Sequence, residues 1–163
     1  MKKLMIGAIA LAALNVAPAM AQQQDFAVSG SVSATCSAIT TSAIGFGTIG
    51  ISASTGKLNS GQSASSTATP IWCNGVASTL SFSGANSNTI HNSKSTTDAA
   101  FTSDLTYTPK VTLGGSPVTS GATIGAVAAN LVVTADTLTS PGDKLPVAGD
   151  YSGTITVTLT PGV

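Results

Sequence analysis

The chain contains neither arginine nor glutamate, and its basic side chains are six lysines and a single histidine. Nucleic-acid-binding proteins carry clustered lysine and arginine side chains, and the arginine guanidinium pairs with phosphate in a bidentate way. No basic run occurs in this sequence. These absences argue against nucleic acid as a partner.

Side chains suited to catalysis or metal binding are equally scarce. His91 is the only histidine, the two cysteines do not form a Cys-x-x-Cys motif, and no Gly-x-Ser-x-Gly turn occurs. Acyl transfer needs a nucleophile beside a base, and zinc sites need several histidine or cysteine ligands. The six aspartates are dispersed, mostly near turn residues, and form no calcium-loop motif. The sequence predicts a protein that is not an enzyme and binds no metal or cofactor, with His91 as a solvated loop residue.

Long hydrophobic runs are absent except near the N-terminus, where residues 4–16 are almost entirely apolar. Two lysines precede this run, and Ala19-Met20-Ala21 follows it as an Ala-x-Ala cleavage site. A transmembrane helix needs about 20 residues, so the run is too short to span a bilayer. We interpret residues 1–21 as a signal peptide. The mature chain would begin at Gln22, be exported and contain no transmembrane segment.

Serine and threonine are abundant, at 46 of the 142 residues after position 21. Together with many glycines, frequent valine and isoleucine and few charges, this composition is typical of β structure. Four lysines and six aspartates remain after residue 21, which gives a net charge of −2. A surface with so little charge suits a subunit that is largely covered by copies of itself.

Alternating apolar residues predict a series of strands. The runs lie at residues 44–51, 67–73, 77–83, 105–113, 131–135 and 151–159, with expected loops at residues 52–67 and 84–97. The last run is the clearest, because one face carries Tyr151, Gly153, Ile155, Val157 and Leu159. No amphipathic helix separates the runs. The sequence therefore predicts an all-β protein, an antiparallel β-sandwich with Greek-key-like connections.

The first residues after the expected cleavage site carry another alternating run. Phe26, Val28, Gly30 and Val32 would share one face of an extended strand, opposite small side chains. Such a strand at a chain end is free to pair with another sheet edge. Alternatively, residues 26–35 are the ordinary first strand of a complete, monomeric sandwich, with Gly30 at a simple bend. We place the boundary between a free strand and the first strand of the domain near Val32.

Cys36 and Cys73 are the only cysteines, and export places them in an oxidising compartment. A single disulfide between them is the simplest interpretation. Such a bond would stabilise the fold by closing a long loop and would take no part in chemistry.

Three motifs follow the N-terminal run along the chain. They are Ile44-Gly45-Phe46-Gly47, the second cysteine within Thr69-Pro70-Ile71-Trp72-Cys73-Asn74-Gly75, and Pro-x-Ala-Gly-x-Tyr-x-x-Thr-Ile-Thr-Val-Thr-Leu over residues 146–159. In this order and spacing they resemble the spore coat protein U family, which includes the pilin subunits of archaic chaperone–usher pili. The resemblance extends over essentially the whole mature chain.

The resemblance implies an incomplete immunoglobulin-like β-sandwich over residues 33–163 that lacks its last strand. Residues 22–32 of a neighbouring subunit would supply that strand. The donor face would consist of Phe26, Val28, Gly30 and Val32. The acceptor groove would be lined by Tyr151, Ile155, Val157 and Leu159. Cys36 and Cys73 would form the structural disulfide.

The same resemblance implies a function and partners. Copies of the chain would polymerise by donor-strand exchange into a surface fibre, or pilus, for attachment and biofilm formation. A periplasmic chaperone and an outer-membrane usher would act during assembly, as the subunit passes through the periplasm to the cell surface. Residues 160–163 lack the aromatic residue that type 1 and P pilins carry next to the C-terminus. The chaperone contacts are therefore left unassigned.

Two other functions fit the same composition. One is a secreted coat or matrix protein of the same fold that does not polymerise. The other is a monomeric glycan-binding adhesin that uses Trp72 as a platform for a sugar ring. Because Trp72 adjoins Cys73 in an expected strand, we predict instead that its side chain lies in the core.

Overall fold

The structure is a computed structural model that describes residues 23–163. The expected signal peptide, residues 1–21, and Gln22 lie outside the described residues. The chain divides after Val32 into two units, of which residues 33–163 form the larger. Residues 23–32 form neither helix nor strand. Within residues 23–163, no helix has the length and hydropathy needed to cross a membrane.

The regular structure of residues 33–163 consists mainly of β-strands, which confirms the predicted all-β class. The strands are β1 (Ala64–Ser65), β2 (Thr69–Cys73), β3 (Thr79–Gly84), β4 (Thr89–Asn92), β5 (Phe101–Thr102), β6 (Asp104–Leu113), β7 (Ser116–Val118), β8 (Ala122–Thr123), β9 (Val127–Thr139), β10 (Leu145–Pro146), β11 (Tyr151–Ser152) and β12 (Ile155–Thr160). Two short helical segments, Ala85–Asn88 and Pro141–Asp143, connect strands. The first is a left-handed turn, because three consecutive residues after Ala85 have positive φ angles.

The strands form two main sheets. A seven-stranded sheet has the order β1-β9-β6-β4-β11, with β2 also paired to β9 and β7 paired to β6. A three-stranded sheet has the order β12-β3-β8. Every pair in these two sheets is antiparallel, whereas the separate pair of β10 and β5 is parallel. The predicted antiparallel sheets are therefore present.

The apolar core lies between side chains of both sheets. In β6, the alternation places Leu105, Tyr107 and Val111 inward and leaves Lys110 exposed. Leu80 of β3 is fully buried in one cluster with Ile71, Val111 and Leu131 of the larger sheet. Burial of each such side chain contributes about 1.5–3 kcal/mol. Strands β3 and β6 are thereby held against each other through their inward faces.

The predicted final strand over residues 151–159 is divided in the structure. Tyr151–Ser152 pairs with β4 of the larger sheet, and Ile155–Thr160 pairs with β3 of the smaller one. The change of sheet occurs at Gly153, where a Cβ atom would lie 2.9 Å from both Ile90 Cγ2 and the Thr89 carbonyl oxygen. Only glycine allows the chain to pass so close to β4. The alternating pattern predicted the inward face but not the change of partner.

Three predictions of loops and strands were wrong: two expected loops contain strands, and one expected strand does not form. The expected loop at residues 84–97 contains β4, in which Ile90 and Asn92 are buried. Asn92 is accommodated because its amide nitrogen donates to the Val147 carbonyl (3.0 Å) and its oxygen accepts from the Lys94 N–H (2.9 Å). The expected loop at residues 52–67 contains β1. The expected strand at residues 44–51 has only an isolated bridge between Ile51 and Leu58.

The disulfide between Cys36 and Cys73 is present, as predicted. The two residues also form an antiparallel bridge, with a hydrogen bond from the Ser37 N–H to the Trp72 carbonyl (2.8 Å) on one side. On the other side, the Asn74 N–H donates to the Thr35 carbonyl (3.1 Å). The first residues of the larger unit are thus fastened to the end of β2 by covalent and hydrogen bonds.

We predict that a Cys36→Ser/Cys73→Ser variant loses about 3–4 kcal/mol of unfolding free energy, because the bond closes a loop between residues 37 positions apart. Urea denaturation followed by circular dichroism measures this loss. Wild-type protein in excess reducing agent is the control and should match the variant. Equal urea midpoints for the variant and the oxidised wild type would contradict a stabilising role.

Candidate functional site

One edge of β12 has no strand partner among the described residues. All six residues of β12 pair with β3, from Ile155 opposite Gly84 to Thr160 opposite Thr79. On its other side β12 is the end of the three-stranded sheet. An edge strand presents a row of backbone N–H and C=O groups that another extended chain can bind. This edge is six residues long, which is enough for a stable pairing with a second strand.

The inward side chains of β12 are only partly covered. Ile155, Val157 and Leu159 pack against the buried core but remain partly exposed, whereas the threonines between them are exposed. Residues 39–51 lie across from them without forming a strand. We call the open space between β12 and residues 39–51 the edge groove. It exposes a part of the core that a complete sheet would cover.

The edge groove has a wide part and a narrow part. The wide part has a cavity volume of about 890 Å³ and includes Phe46, Ile90, Tyr107 and Tyr151 in its lining. The narrow part has a volume of about 200 Å³ and includes Ile39, Leu131, Val133 and Val157. Ile44 and Ile155 line both parts, so the two are continuous. Together they follow β12 from Ile155 to Val157.

Both tyrosine hydroxyls in the lining of the edge groove already have hydrogen-bond partners. The Tyr107 hydroxyl donates to the Thr154 carbonyl (3.2 Å), and the Tyr151 hydroxyl donates to the Val147 carbonyl (2.8 Å). Burial raises the pKa of Tyr107, which favours the neutral, protonated hydroxyl. Asp150 is the only charged residue in the lining. The edge groove is therefore suited to an apolar, uncharged segment.

The two ends of the edge groove adjoin different core clusters. At the narrow end, Ile39 packs in one cluster with Val157 and Leu159. At the wide end, Ile44 and Phe46 pack in the cluster that includes Tyr151 and Ile155. Residues 39–46 therefore run in the direction opposite to β12. We call the end near Leu159 the start pole, because the larger unit begins there, and the end near Tyr151 the far pole.

Contacts of the last residues confirm where the start pole lies. The Gly162 N–H donates to Ser78 Oγ (3.4 Å), and Gly75 packs directly against the Gly162 carbonyl. Asn74, the neighbour of Gly75, is hydrogen-bonded to Thr35. The first residues of the larger unit and the C-terminal end of β12 thus lie at the same end of the molecule.

The residues predicted as a groove-lining strand are largely brought together. Tyr151, Ile155 and Val157 line the edge groove, and Leu159 belongs to the adjoining core cluster without lining it. The opposite wall, including Ile44 and Phe46, was not predicted. In the sequence, the spacing of Ile44, Phe46 and Ile49 among glycines predicted a strand there, but it did not predict that these residues lie beside β12.

The predicted donor residues lie within residues 23–32, in the smaller unit. Phe26, Val28 and Val32 have exposed fractions of 84%, 96% and 87%. A Cβ atom at Gly30 would meet no atom within 4 Å. This segment thus combines an alternating apolar sequence with side chains that are not buried.

Trp72 and His91 differ from their predicted surroundings. Trp72 is 47% exposed, because its neighbours Ile71 and Cys73 point inward and the alternation of β2 turns Trp72 outward. The prediction of a core tryptophan was wrong. His91 lies in β4 rather than in a loop, and its Nδ1 atom is 2.6 Å from Asp104 Oδ1 on the exposed surface. Within residues 23–163, no cluster of three or more histidine, cysteine or acidic side chains could hold a metal ion.

No protein-family model matches the chain, and a search of the curated proteins gives no match either. The function must therefore be argued from the edge groove, from residues 23–32 and from the sequence motifs.

We predict that Gly153→Ala lowers the unfolding free energy by about 1–3 kcal/mol, because the new Cβ atom would press on the Thr89 carbonyl and on Ile90. Gly45→Ala is the matched control, since a Cβ atom there meets nothing within 4 Å. The control should be neutral or slightly stabilising. Thermal unfolding measures the stability of both variants. Equal effects of the two substitutions would show that glycine is not required where residue 153 approaches β4.

Proposed function

We propose that this chain is a structural pilin subunit that polymerises by donor-strand exchange into a surface fibre for attachment and biofilm formation. The two sheets would be the halves of an immunoglobulin-like β-sandwich that lacks one strand. The observation that carries the proposal is the edge groove beside the unpaired edge of β12, in a chain that also has an unburied alternating segment. Residues 22–32 of the next copy would occupy the groove.

The apolar side chains of the segment match the character of the groove. Burial of Phe26, Val28 and Val32 would contribute about 1.5–3 kcal/mol each, or about 5–9 kcal/mol in total. That contribution is comparable to the whole stability of an ordinary domain, about 5–15 kcal/mol. Gly30 would let the donor backbone approach the acceptor closely. A subunit without its donor would accordingly be much less stable than one in a fibre.

The backbone of the segment matches the free edge of β12. At about 3.3 Å per residue, residues 26–32 span about 20 Å when extended, and the six residues of β12 span nearly as much. A strand added there would supply hydrogen bonds to the unpaired N–H and C=O groups, while alternate side chains enter the groove. One extended segment would thus satisfy both the edge and the exposed core.

The positions of the start pole and the far pole determine the direction of the donor strand. The acceptor's own extension leaves at the start pole, so a fibre can continue only if the donor's domain lies beyond the far pole. Val32 of the donor would then lie near Tyr151, and Phe26 near Leu159, which makes the donor antiparallel to β12. This direction also keeps Asp25 away from Asp150, the one charge in the lining of the groove.

The missing strand beside β12 also accounts for the proposed chaperone and usher. An open edge with exposed apolar side chains invites pairing with the wrong chain. A periplasmic chaperone would cover the groove until an outer-membrane usher brings in the next subunit. The resemblance of residues 44–47, 69–75 and 146–159 to the spore coat protein U family supports these partners and the location at the cell surface.

We predict that Val28→Asp in the full mature chain reduces polymer formation by about 100-fold or more, because an unpaired carboxylate would enter the apolar groove. Ala27→Asp is the matched control, since residue 27 lies on the opposite face of the donor strand and its charge would stay in water. Light scattering after size exclusion and electron microscopy measure the polymers. Equal loss in both variants, or in neither, would contradict donor-strand exchange.

Mixing the variant with wild type adds a second readout. A Val28→Asp chain keeps its own groove, so it can accept a donor strand but cannot donate one. The mean polymer length should therefore fall as its proportion in the mixture rises, whereas Ala27→Asp should not shorten the polymers. A wild-type chain that stays monomeric would favour the non-polymerising coat or matrix protein.

The exposed side chain of Trp72 favours a second candidate function, glycan binding. Sugar rings stack on exposed aromatic faces, and Trp72 lies on the outer face of β2 opposite Ala128, a small neighbour. Trp72 is the only tryptophan, so intrinsic fluorescence reports on it alone. If this function holds, polysaccharides will change the fluorescence, and retention on a polysaccharide column will be lost in Trp72→Ala. Retention will be kept in Val76→Ala, the control, because Val76 is an exposed apolar residue without an aromatic ring. Unchanged fluorescence with every polysaccharide would contradict it.

A further inference from the structure

Asn74 holds the first residues of the larger unit with three hydrogen bonds. Its Oδ1 atom accepts from the Thr35 N–H (2.6 Å), and its Nδ2 atom donates to the Ser33 carbonyl (3.0 Å). Its backbone N–H donates to the Thr35 carbonyl (3.1 Å). The disulfide between Cys36 and Cys73 lies immediately beside these bonds. We call the three bonds the Asn74 clamp.

The Asn74 clamp lies where the chain would have to turn if its own extension were to enter its own edge groove. Residues 39–44 form one wall of that groove and run opposite to β12. To enter, residues 26–32 would have to fold back as a hairpin beside this wall, parallel to β12. Such a hairpin needs a loop of only two to five residues, and residues 33–36 are long enough.

Self-insertion would compete strongly with polymerisation. A tethered segment has an effective concentration in the millimolar range, which exceeds the concentration of free subunits in most settings. A subunit that closed its own groove would neither donate nor accept a strand. A chain built to donate to its neighbours therefore needs a feature that disfavours the hairpin.

The Asn74 clamp supplies that feature. It continues the antiparallel bridge between Cys36 and Cys73 by one more pair, which keeps residues 33–35 extended beside Asn74. A turn at these residues would break the side-chain bonds to Ser33 and Thr35. We infer that Asn74 is a positioning residue that disfavours entry of the extension into its own groove and so favours its donation to a second copy of the chain. This inference rests on the proposed function.

Asn74→Ala in the full mature chain tests the inference. We expect the ratio of closed monomer to polymer to rise about 10-fold, because two hydrogen bonds no longer oppose the hairpin. Size exclusion with light scattering measures this ratio. Asn130→Ala is the matched control, since the Asn130 side chain is exposed and makes no hydrogen bond within the described residues. It should polymerise like wild type.

Thermal unfolding of the monomer separates positioning from simple loss of stability. An Asn74→Ala monomer that has closed its own groove should melt at a higher temperature than a wild-type monomer. The gain should disappear in Asn74→Ala/Val28→Asp, because the charged extension cannot enter the groove. Asn74→Asp, which keeps the acceptor for the Thr35 N–H and loses the donor to the Ser33 carbonyl, should give an intermediate ratio even if the alanine variant folds poorly.

The outcomes distinguish this inference from the proposed function. If wild type polymerises and both Asn74 variants polymerise equally well, the inference is overturned and the proposed function stands. A lower melting temperature that does not depend on Val28 also overturns it, because Asn74 would then be merely structural. A wild-type chain that forms no polymer overturns the proposed function and this inference together.

Discussion

The pairing of β12 on one side only is the constraint from which the edge groove follows. Six consecutive residue pairs fix β12 to β3 and thereby turn Ile155, Val157 and Leu159 toward the core. No strand on the other side covers them within the described residues. The free backbone edge of β12 and the partly exposed side chains of Ile155 and Val157 therefore lie beside the same groove. In the proposed function, one extended segment of alternating sequence would satisfy the backbone edge and cover the exposed side chains at once.

Period-two patterns gave reliable predictions where a strand has one buried face. The alternation in β6 and in residues 155–160 predicted the inward residues correctly, and the compartment and the number of cysteines predicted the disulfide. Trp72 was misplaced because its neighbour Cys73 was taken as a sign of burial. In a strand, the buried cysteine itself requires that the adjacent residue point outward.

The parts of the fold and of the groove that could not be predicted from the sequence depend on contacts between residues far apart in the chain. β4 has one apolar residue, Ile90, and its buried Asn92 is tolerated only because Val147 and Lys94 satisfy the amide. Residues 39–51 have the spacing of a strand, yet they pair with none of the described strands, and Ile51 forms only an isolated bridge with Leu58. Their place opposite β12 follows from the packing of Ile44 and Phe46 on the core. No local pattern contains that information.

The position of the disulfide determines how a fibre of such subunits would carry tension. A pull on the extension reaches residues 33–35 and then Cys36, where the sulfur bridge offers a covalent route to Cys73. Residues 37–72 form a bypassed loop, and this loop contains the wall of the edge groove. The covalent path of the force from the extension would thus omit residues 37–72. A pull on the extension would therefore not unravel residues 37–72, which include the wall against which the neighbour's strand would pack.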